Sequence, residues 1–512
     1  MTSHSENTKR IAKNTLMLYA RMLFSMLVSL YTSRVILNAL GVEDYGIYNV
    51  VGGFVAMFSM ISGSLSASVS RFLTFELGKN DIEGLKKTFS TSIFIHILLA
   101  FIILLFAETL GVWFMNEFMT IPTNRLCAAN WVFQASVFSF IVGLLSVPYN
   151  ASIVSHERMG TFAYIGILAI VLRLVAVLFV AYSPFVFDRL IVYSIAVVCI
   201  GLIIQSVYFF YCRSHFIECR GKLQYDKGYW KNMITFAGWN FIGSSSGLLK
   251  EQGVNVLLNI FIGPIINAAR GIATSVNNAV CAFSSNFMTA LNPQVTKSYA
   301  AGDKDYAFSL VERGARFSFY IILLLAMPVL VETDYVLTLW LKNYPEHTVN
   351  FVRLVLILSL CDVLSRTLIT LQLATGNIRN YQLVVGGVQL LNFPISYLFL
   401  KLGFAPEVTF VIAIFISCIC LILRLKFLQV MVGLPIGRFL RNVCLRAIGI
   451  FALASLVPII LHENLPFGWG RFIVVAFLSS FCVCFFVYKI GCIKSERVYI
   501  YNKVVSLKRF FK

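Results

Sequence analysis

Arg21, Arg173, Lys250 and Arg270 each stand inside a long, otherwise apolar stretch of the chain. A cation in such surroundings is costly and usually faces a protein interior or a water-filled cavity. Arginine presents a planar fork of donors that meets phosphate bidentately. No acidic residue occurs between Asn14 and Val42 to neutralise Arg21. A cavity lined by these groups suits an anion, so the cargo is expected to carry phosphate or another acidic group.

Amides accompany the cations. Asn240, Ser244, Gly247, Glu251 and Asn255 fall on one helical face, with Lys250 beside them. Asn267, Arg270, Thr274, Asn278, Ser285 and Asn292 form a second stripe. The roughly 100° step per residue puts each set on one side of its helix. A stripe of amides along a whole span suits a hydrated path better than contact between helices. Asn14, Arg21, Ser25, Ser29 and Thr32 likewise share a face, with Arg21 about 13 Å in from the helix start. For Ser59, Ser62, Gly63, Ser66 and Ser70, close helix packing and cavity lining both stand open.

The acids suggest other chemistry. Glu108, Glu251 and Asp362 would be the coupling sites of an ion-driven exporter. Asp362 and Arg366 are spaced for a structural ion pair. His96 and Glu108 can be read as functional or as structural. Cys418-x-Cys420 and Cys482-x-Cys484 have no histidine or acidic neighbour to complete a metal site, so neither metal nor cofactor is expected. The cysteines within apolar runs read as small hydrophobes.

The elements that must hold these groups are membrane helices. Of 512 residues 59% are hydrophobic and only 13% charged, far from the soluble norm. Runs such as 93–107, 165–181 and 472–487 approach the ~20 apolar residues that cross a bilayer. They lack the alternation of barrel strands. The pattern predicts an all-α membrane protein with about fourteen spans. The spans are 12–37, 46–75, 88–114, 126–150, 160–182, 187–211, 232–261, 265–296, 310–331, 349–375, 379–401, 406–430, 441–462 and 470–490. The first is read as a retained span, since no small-residue cleavage site interrupts it.

The formal charge of +19 is spread over short loops, with no basic domain to hold nucleic acid. Alternate loops carry most of the lysines and arginines, and the opposite set holds only Arg125, Arg189, Arg270, Lys342, Lys401 and Arg471. By the positive-inside rule this places both termini in the cytoplasm. No loop is long enough for a separate catalytic domain, which argues against a membrane-embedded glycan polymerase or glycosyltransferase.

Lys13-Asn14 recurs as Lys231-Asn232, Leu37-Asn38 as Leu258-Asn259, and the loop from Glu76 resembles that from Ala300. The order and slow drift of these matches predict a duplicated six-span unit, the halves entering the membrane in the same direction. The expected organisation is an N-terminal six-helix lobe at 1–225 and a C-terminal six-helix lobe at 226–432. Two additional helices at 433–490 and a basic cytoplasmic tail at 491–512 follow, the tail resting on anionic headgroups.

The stretches Ser33–Val51 (SRVILNALGVEDYGIYNVV), Gln252–Val280 (QGVNVLLNIFIGPIINAARGIATSVNNAV) and Ser285–Asp303 (SNFMTALNPQVTKSYAAGD) carry a likeness that extends over essentially the whole chain. The chain resembles the polysaccharide flippase branch of the multidrug/oligosaccharidyl-lipid/polysaccharide exporter superfamily. The resemblance implies a two-lobed, V-shaped MATE-like fold with a central cavity. It implies transfer of undecaprenyl-diphosphate-linked oligosaccharide from the cytoplasmic to the periplasmic leaflet of a bacterial inner membrane, by alternating access, for O-antigen, capsule or exopolysaccharide. The anion contacts would be Arg21, Arg173, Lys250 and Arg270, with Asn240, Asn255, Asn267 and Asn278 lining the cavity. Expected partners are the lipid-linked oligosaccharide and membrane lipids, with polymerase or chain-length machinery beside them. An ion-coupled small-molecule exporter of the same superfamily is the alternative, although such exporters typically carry acids in the first lobe where this chain has Arg21.

Overall fold

Long apolar runs with few interior glycines or prolines favour helix, because each backbone group is satisfied within its own segment. Where helices stop, the local sequence supplies the cap. Asp81 accepts from the Gly84 amide at 2.9 Å, Asp188 from Leu190 at 2.9 Å and Asp303 from Tyr306 at 3.1 Å. Gly376 and Gly433 end their helices in the left-handed conformation that glycine adopts without a side-chain penalty.

The computed structural model describes residues 2–498 apart from 57, 118–121, 183–187, 222–223, 263, 342 and 494–495. Among the described residues every regular element is helical. The principal helices are α1 (Thr2–Ala56), α2 (Ser59–Lys79), α3 (Ile82–Phe106), α4 (Leu126–Ser155), α5 (Met159–Tyr182) and α6 (Arg189–His215). They continue with α7 (Lys227–Phe261), α8 (Pro264–Ala300), α9 (Lys304–Val331), α10 (Thr348–Thr375) and α11 (Arg379–Leu390). The last are α12 (Asn392–Lys401), α13 (Val408–Val432), α14 (Leu445–Asn464) and α15 (Trp469–Phe486).

Among the described residues ten segments are long and apolar enough to cross a membrane. Four further long helices, α1, α2, α7 and α8, coincide with the remaining expected spans. They are the helices that carry the polar stripes. The set is consistent with about fourteen spans. Gly41, at φ 82° and ψ 169°, breaks the 55-residue α1 into two helices, close to the expected gap between the first and second spans.

The chain forms two compact units. The first comprises Met1–Ser244 and Thr296–Gly302, the second Ser245–Val295 and Asp303–Lys512. Both α7 and α8 therefore contribute residues to each unit. Arg125 ties one end of the first unit, meeting Asp44 at 2.7 Å through Nε and Asp188 at 2.6 Å through Nη1. The other end is gathered by Glu157, whose carboxylate is almost wholly buried. It pairs with Arg10 and with Lys297, each at 2.8 Å. Asn14 Nδ2 donates to the Glu157 carbonyl at 3.1 Å, which puts the first member of the α1 stripe at this junction.

In the second unit the last two helices are joined to the rest by buried ion pairs. Glu332, fully buried, meets His462 at 2.8 Å and Arg471 at 3.0 Å. Glu312 meets Arg438 at 2.7 Å, and Arg316 meets Glu496 at 2.9 Å. The basic tail is described only as far as 498, and its remainder lies outside the described residues.

Candidate functional site

In the first unit, α1 and α5 pack along each other and leave a cavity of about 400 Å3. Ser25, Ser29 and Thr32 of the α1 stripe line one side, Ala169, Ile170 and Arg173 of α5 another, and Tyr48 and Tyr193 a third. The tyrosine rings meet at 5.1 Å. Ser29 and Thr32 give their protons to the carbonyls of Met26 and Val28, at 3.0 and 2.6 Å, so only their oxygen lone pairs face inward. Among the described residues Arg173 makes no hydrogen bond or ion pair, and none of those that line the cavity is a carboxylate. Its guanidinium is available to an incoming anion.

Arg21 lies along the same α1–α5 seam without lining that cavity. Its guanidinium stands 4.4 Å over the Phe162 ring. Gly166 gives it room, since a β-carbon there would approach Arg21 Nε to 2.6 Å. Phe162, Gly166, Ala169, Ile170 and Arg173 follow helical spacing, so one face of α5 receives Arg21 from α1 and carries Arg173.

The second unit holds a larger polar cavity of 480 Å3. Arg270, Thr274, Asn277 and Asn278 of α8 line it, with Ser359, Asp362 and Arg366 of α10 and Ser417 and Arg424 of α13. Arg270 sits 5.3 Å over the Phe410 ring. Ser359 donates to Asn277 at 2.6 Å, and Ser417 donates to the Asp362 carboxylate. The expected pairing of Asp362 with Arg366 is not formed. Arg366 turns instead to Ser285 Oγ at 2.8 Å. Successive α10 positions four apart can diverge when neighbouring helices offer each side chain its own partner, and here α8 takes the arginine and α13 the aspartate.

The structure thus brings Arg270, Asn278 and Asp362 together and places Arg173 with the α1 stripe. The other predicted site residues lie elsewhere. Asn240 is buried in the first unit and donates to Ser64 Oγ at 3.4 Å. Asn255 is half-buried, and Asn267 is half-buried with a side-chain oxygen that has no hydrogen-bond partner. Glu108 lies on a π-helical turn at Ala107–Gly111 and accepts from Gln134 at 3.0 Å. The side chains of Lys250 and Glu251 lie outside the described residues. His96 is fully buried, with Nδ1 2.7 Å from the Ser92 carbonyl.

Sequence reasoning missed Arg424, counting it among loop cations. It is 5% exposed inside α13 and donates to the Tyr381 hydroxyl at 3.0 Å. Its place directly after the apolar run Val411–Leu423, with Lys426 two residues on, made it read as a span-end charge, and only its neighbours show it to be internal. Asn392, 1% exposed with an unpartnered side-chain nitrogen, was missed too, because one asparagine between α11 and α12 gives no stripe.

The fold of this helical membrane chain is shared with solved membrane transporters. Chains of the same fold include an outward-facing multidrug resistance MATE family transporter of the MOP superfamily. The match has TM-score 0.67 and 11% identity, over 82% of this chain and 95% of that one. A MOP superfamily transporter from Pyrococcus furiosus, described as having reversed binding-pocket polarity, matches with TM-score 0.66 and 12% identity, over 84% and 96%. The MATE transporter ClbM in complex with Rb+ matches with TM-score 0.65 and 12% identity, over 82% and 94%.

The family model described as "Polysaccharide biosynthesis protein" matches residues 11–299, more than half of the chain, and the chain belongs to that family. It is 21% identical over 310 residues to the uncharacterized membrane protein EpsK of Bacillus subtilis (strain 168), and spans 60% of the length of that relative. The protein is a multi-pass membrane protein of this family, with the fold of the solved MATE and MOP superfamily transporters.

Proposed function

We propose that this protein is a transporter, a flippase that carries a phosphate-bearing, lipid-linked oligosaccharide from the cytoplasmic to the periplasmic leaflet of a bacterial inner membrane by alternating access. The lipid is the undecaprenyl diphosphate expected from the family resemblance, and the product feeds surface polysaccharide assembly beside a polymerase or chain-length partner. The carrying observation is Arg173, a guanidinium that among the described residues has no ion-pair partner and shares its hydroxyl-lined cavity with no carboxylate. A diphosphate entering that cavity meets a fixed positive charge and lone pairs suited to sugar hydroxyls, while Arg270 offers a second cation in the other unit. The lysine and arginine bias of the loops supports cytoplasmic termini.

Replacing Arg173 or Arg270 with glutamine, in cells that depend on the protein for surface glycan, is expected to abolish or sharply reduce export at unchanged membrane abundance. Full export by both variants would sink the anion-site reading.

A second reading is favoured by one observation. Asp362 is bonded by Ser417 and faces the polar cavity of the second unit. It would serve an ion-coupled exporter of small molecules, and a chain of the same fold, the MATE transporter ClbM, is in complex with Rb+. Asp362→Asn separates the two readings. A coupled exporter loses its dependence on the ion gradient, whereas a flippase that works by anion capture keeps its glycan output.

A further inference from the structure

The last two helices of the second unit meet α9 at one end through two π-helical turns. Leu440–Cys444 runs directly into α14, and Val487–Gly491 follows directly on α15. Helices joined by a short turn run in opposite directions, so the start of α14 and the end of α15 share that end. Single π-turns recur at functional sites.

The charges collected there do not balance. Glu312 is taken by Arg438 at 2.7 Å, and Glu496 by Arg316 at 2.9 Å and Arg313 at 3.6 Å. Arg441, Arg446, Lys489 and Arg497 have no carboxylate partner among the described residues. The next acids on α9, Asp305 and Asp303, stand about 10 Å or more further out along the helix, with Lys304 between them. They do not cancel the excess.

Three buried donors at the same end lack an acceptor. They are Tyr320 Oη and Arg316 Nε of α9 and Arg446 Nη1 of α14. Tyr320 is 5% exposed and Arg316 3%. Arg316 Nη1 reaches the Gly491 carbonyl at 3.3 Å. A β-carbon at Gly491 would come within 2.8 Å of Tyr320 Oη and 3.0 Å of Ile450 Cδ1, and Arg446 precedes Ile450 by one turn on the same face. The orphaned donors therefore gather around the second π-turn. Buried donors are normally bonded, so a cluster of them without an acceptor marks a place for an anion.

Apolar surface adjoins this cluster. Leu445 and Ile448, four and seven residues beyond exposed Arg441, are 65% and 64% exposed. A free phosphate gains nothing from such a shelf, whereas acyl chains lie along it. Loop charge is expected to set this end at the cytoplasmic leaflet, whose lipids are anionic. Basic pockets between membrane helices hold such headgroups, and arginine meets phosphate bidentately.

We propose that this end of the second unit binds an anionic phospholipid, its phosphate held by Arg441, Arg446 and Lys489 and its chains laid on Leu445 and Ile448. The site stands independently of the flippase reading and of any attraction exerted by the tail beyond residue 498.

The test uses the full-length protein in neutral detergent, supplied with equal amounts of phosphatidylcholine and phosphatidylglycerol. Retained lipid is counted by native mass spectrometry. Phosphatidylglycerol should be kept in preference. Arg441→Gln and Lys489→Gln change exposed side chains, so their melting temperatures without added lipid should match the parent. Each should weaken retention by about fivefold, and Arg441→Gln combined with Arg446→Gln by more. Arg441→Lys keeps the charge and should keep most of the binding. Glutamine at Lys503, Lys508, Arg509 and Lys512 together should change nothing, and glycerol phosphate, which has no chains, should not displace the lipid. Undiminished retention in the Arg441 and Arg446 double variant would overturn the proposal. So would loss of selectivity on neutralising the tail alone, which would make the tail the binding element. Displacement by glycerol phosphate would assign the site to a soluble anion, and stronger retention of a polyprenyl phosphate than of phosphatidylglycerol would assign it to the cargo; either result overturns the phospholipid assignment.

Discussion

The single guanidinium of Arg125 shows how much one residue can hold in this chain. It meets two carboxylates, one on α1 and one at the start of α6. Burial pulls the Asp188 carboxyl upward, but the Arg125 hydrogen bond and charge, with the Leu190 and Ile191 amides, outweigh it. The group is held below the usual carboxylate range. A carboxylate depressed in this way contributes stability that is fully present above its unfolded value of about 3.9 and is lost as pH falls through the lower folded value. Thermal unfolding should therefore show no pH dependence from this pair between about pH 5 and 8, where its contribution is fully present, and a loss below about pH 4 that Asp188→Asn removes. An Asp188→Asn protein with the same acid slope as the parent would show that the pair contributes nothing. The same residue scale explains why Arg21 and Arg173 differ in role. One is stacked on Phe162, the other faces open space, and Arg21→Lys should fail to replace the stacked plane.

At the scale of elements, the junction around Glu157 joins the start of α1, the α4–α5 turn and the end of α8 within the first unit. Glu157 itself has φ +59°, a conformation uncommon outside glycine and sustained here by Arg10, Lys297 and Asn14. Glu157→Gln removes the charge and leaves Lys297 short of a partner, at an expected cost of about 1.5–3 kcal/mol. The melting temperature of the detergent-solubilised protein measures it, and an unchanged value would show the cluster to be solvent-screened. Beside it, α2 reaches the end of α8 so closely that a β-carbon at Gly78 would fall 2.7 Å from the Lys297 carbonyl oxygen. Backbone cannot step aside as a side chain can, so Gly78→Ala should destabilise more than Gly63→Ala, which meets nothing within 4 Å.

For the whole molecule, the last two helices are part of the second unit's structure rather than an appendage. Glu332 and Glu312, both buried, take their partners from residues beyond 433. Deleting residues 433–512 would strand both carboxylates in an apolar setting, which costs several kcal/mol for each uncompensated charge. The truncated chain should be lost from membranes or aggregate in detergent. A monodisperse, glycan-exporting truncation would refute this dependence. The expectation of two extra helices was legible from apolar runs near the C-terminus. Their attachment was not, because Glu332 and Arg471 are far apart in sequence and each looks like an ordinary loop charge.

What the sequence determined by itself was the solvent, the class of secondary structure and the helices that carry polar faces. Run length, helical periodicity and loop charge are local properties, and lipid leaves a chain few other ways to satisfy its backbone. The α1 stripe and Arg173 were legible for the same reason, since spacing fixes which side chains share a face. The destination of each face was decided only by tertiary structure. Asn240 and Arg270 sit in similar stripes, yet one bonds to Ser64 and the other lines a cavity, and Asp362 leaves its nearest cation for Ser417. A face becomes a seam or a chamber according to what packs opposite it, and that neighbour lies up to 176 residues away along the chain.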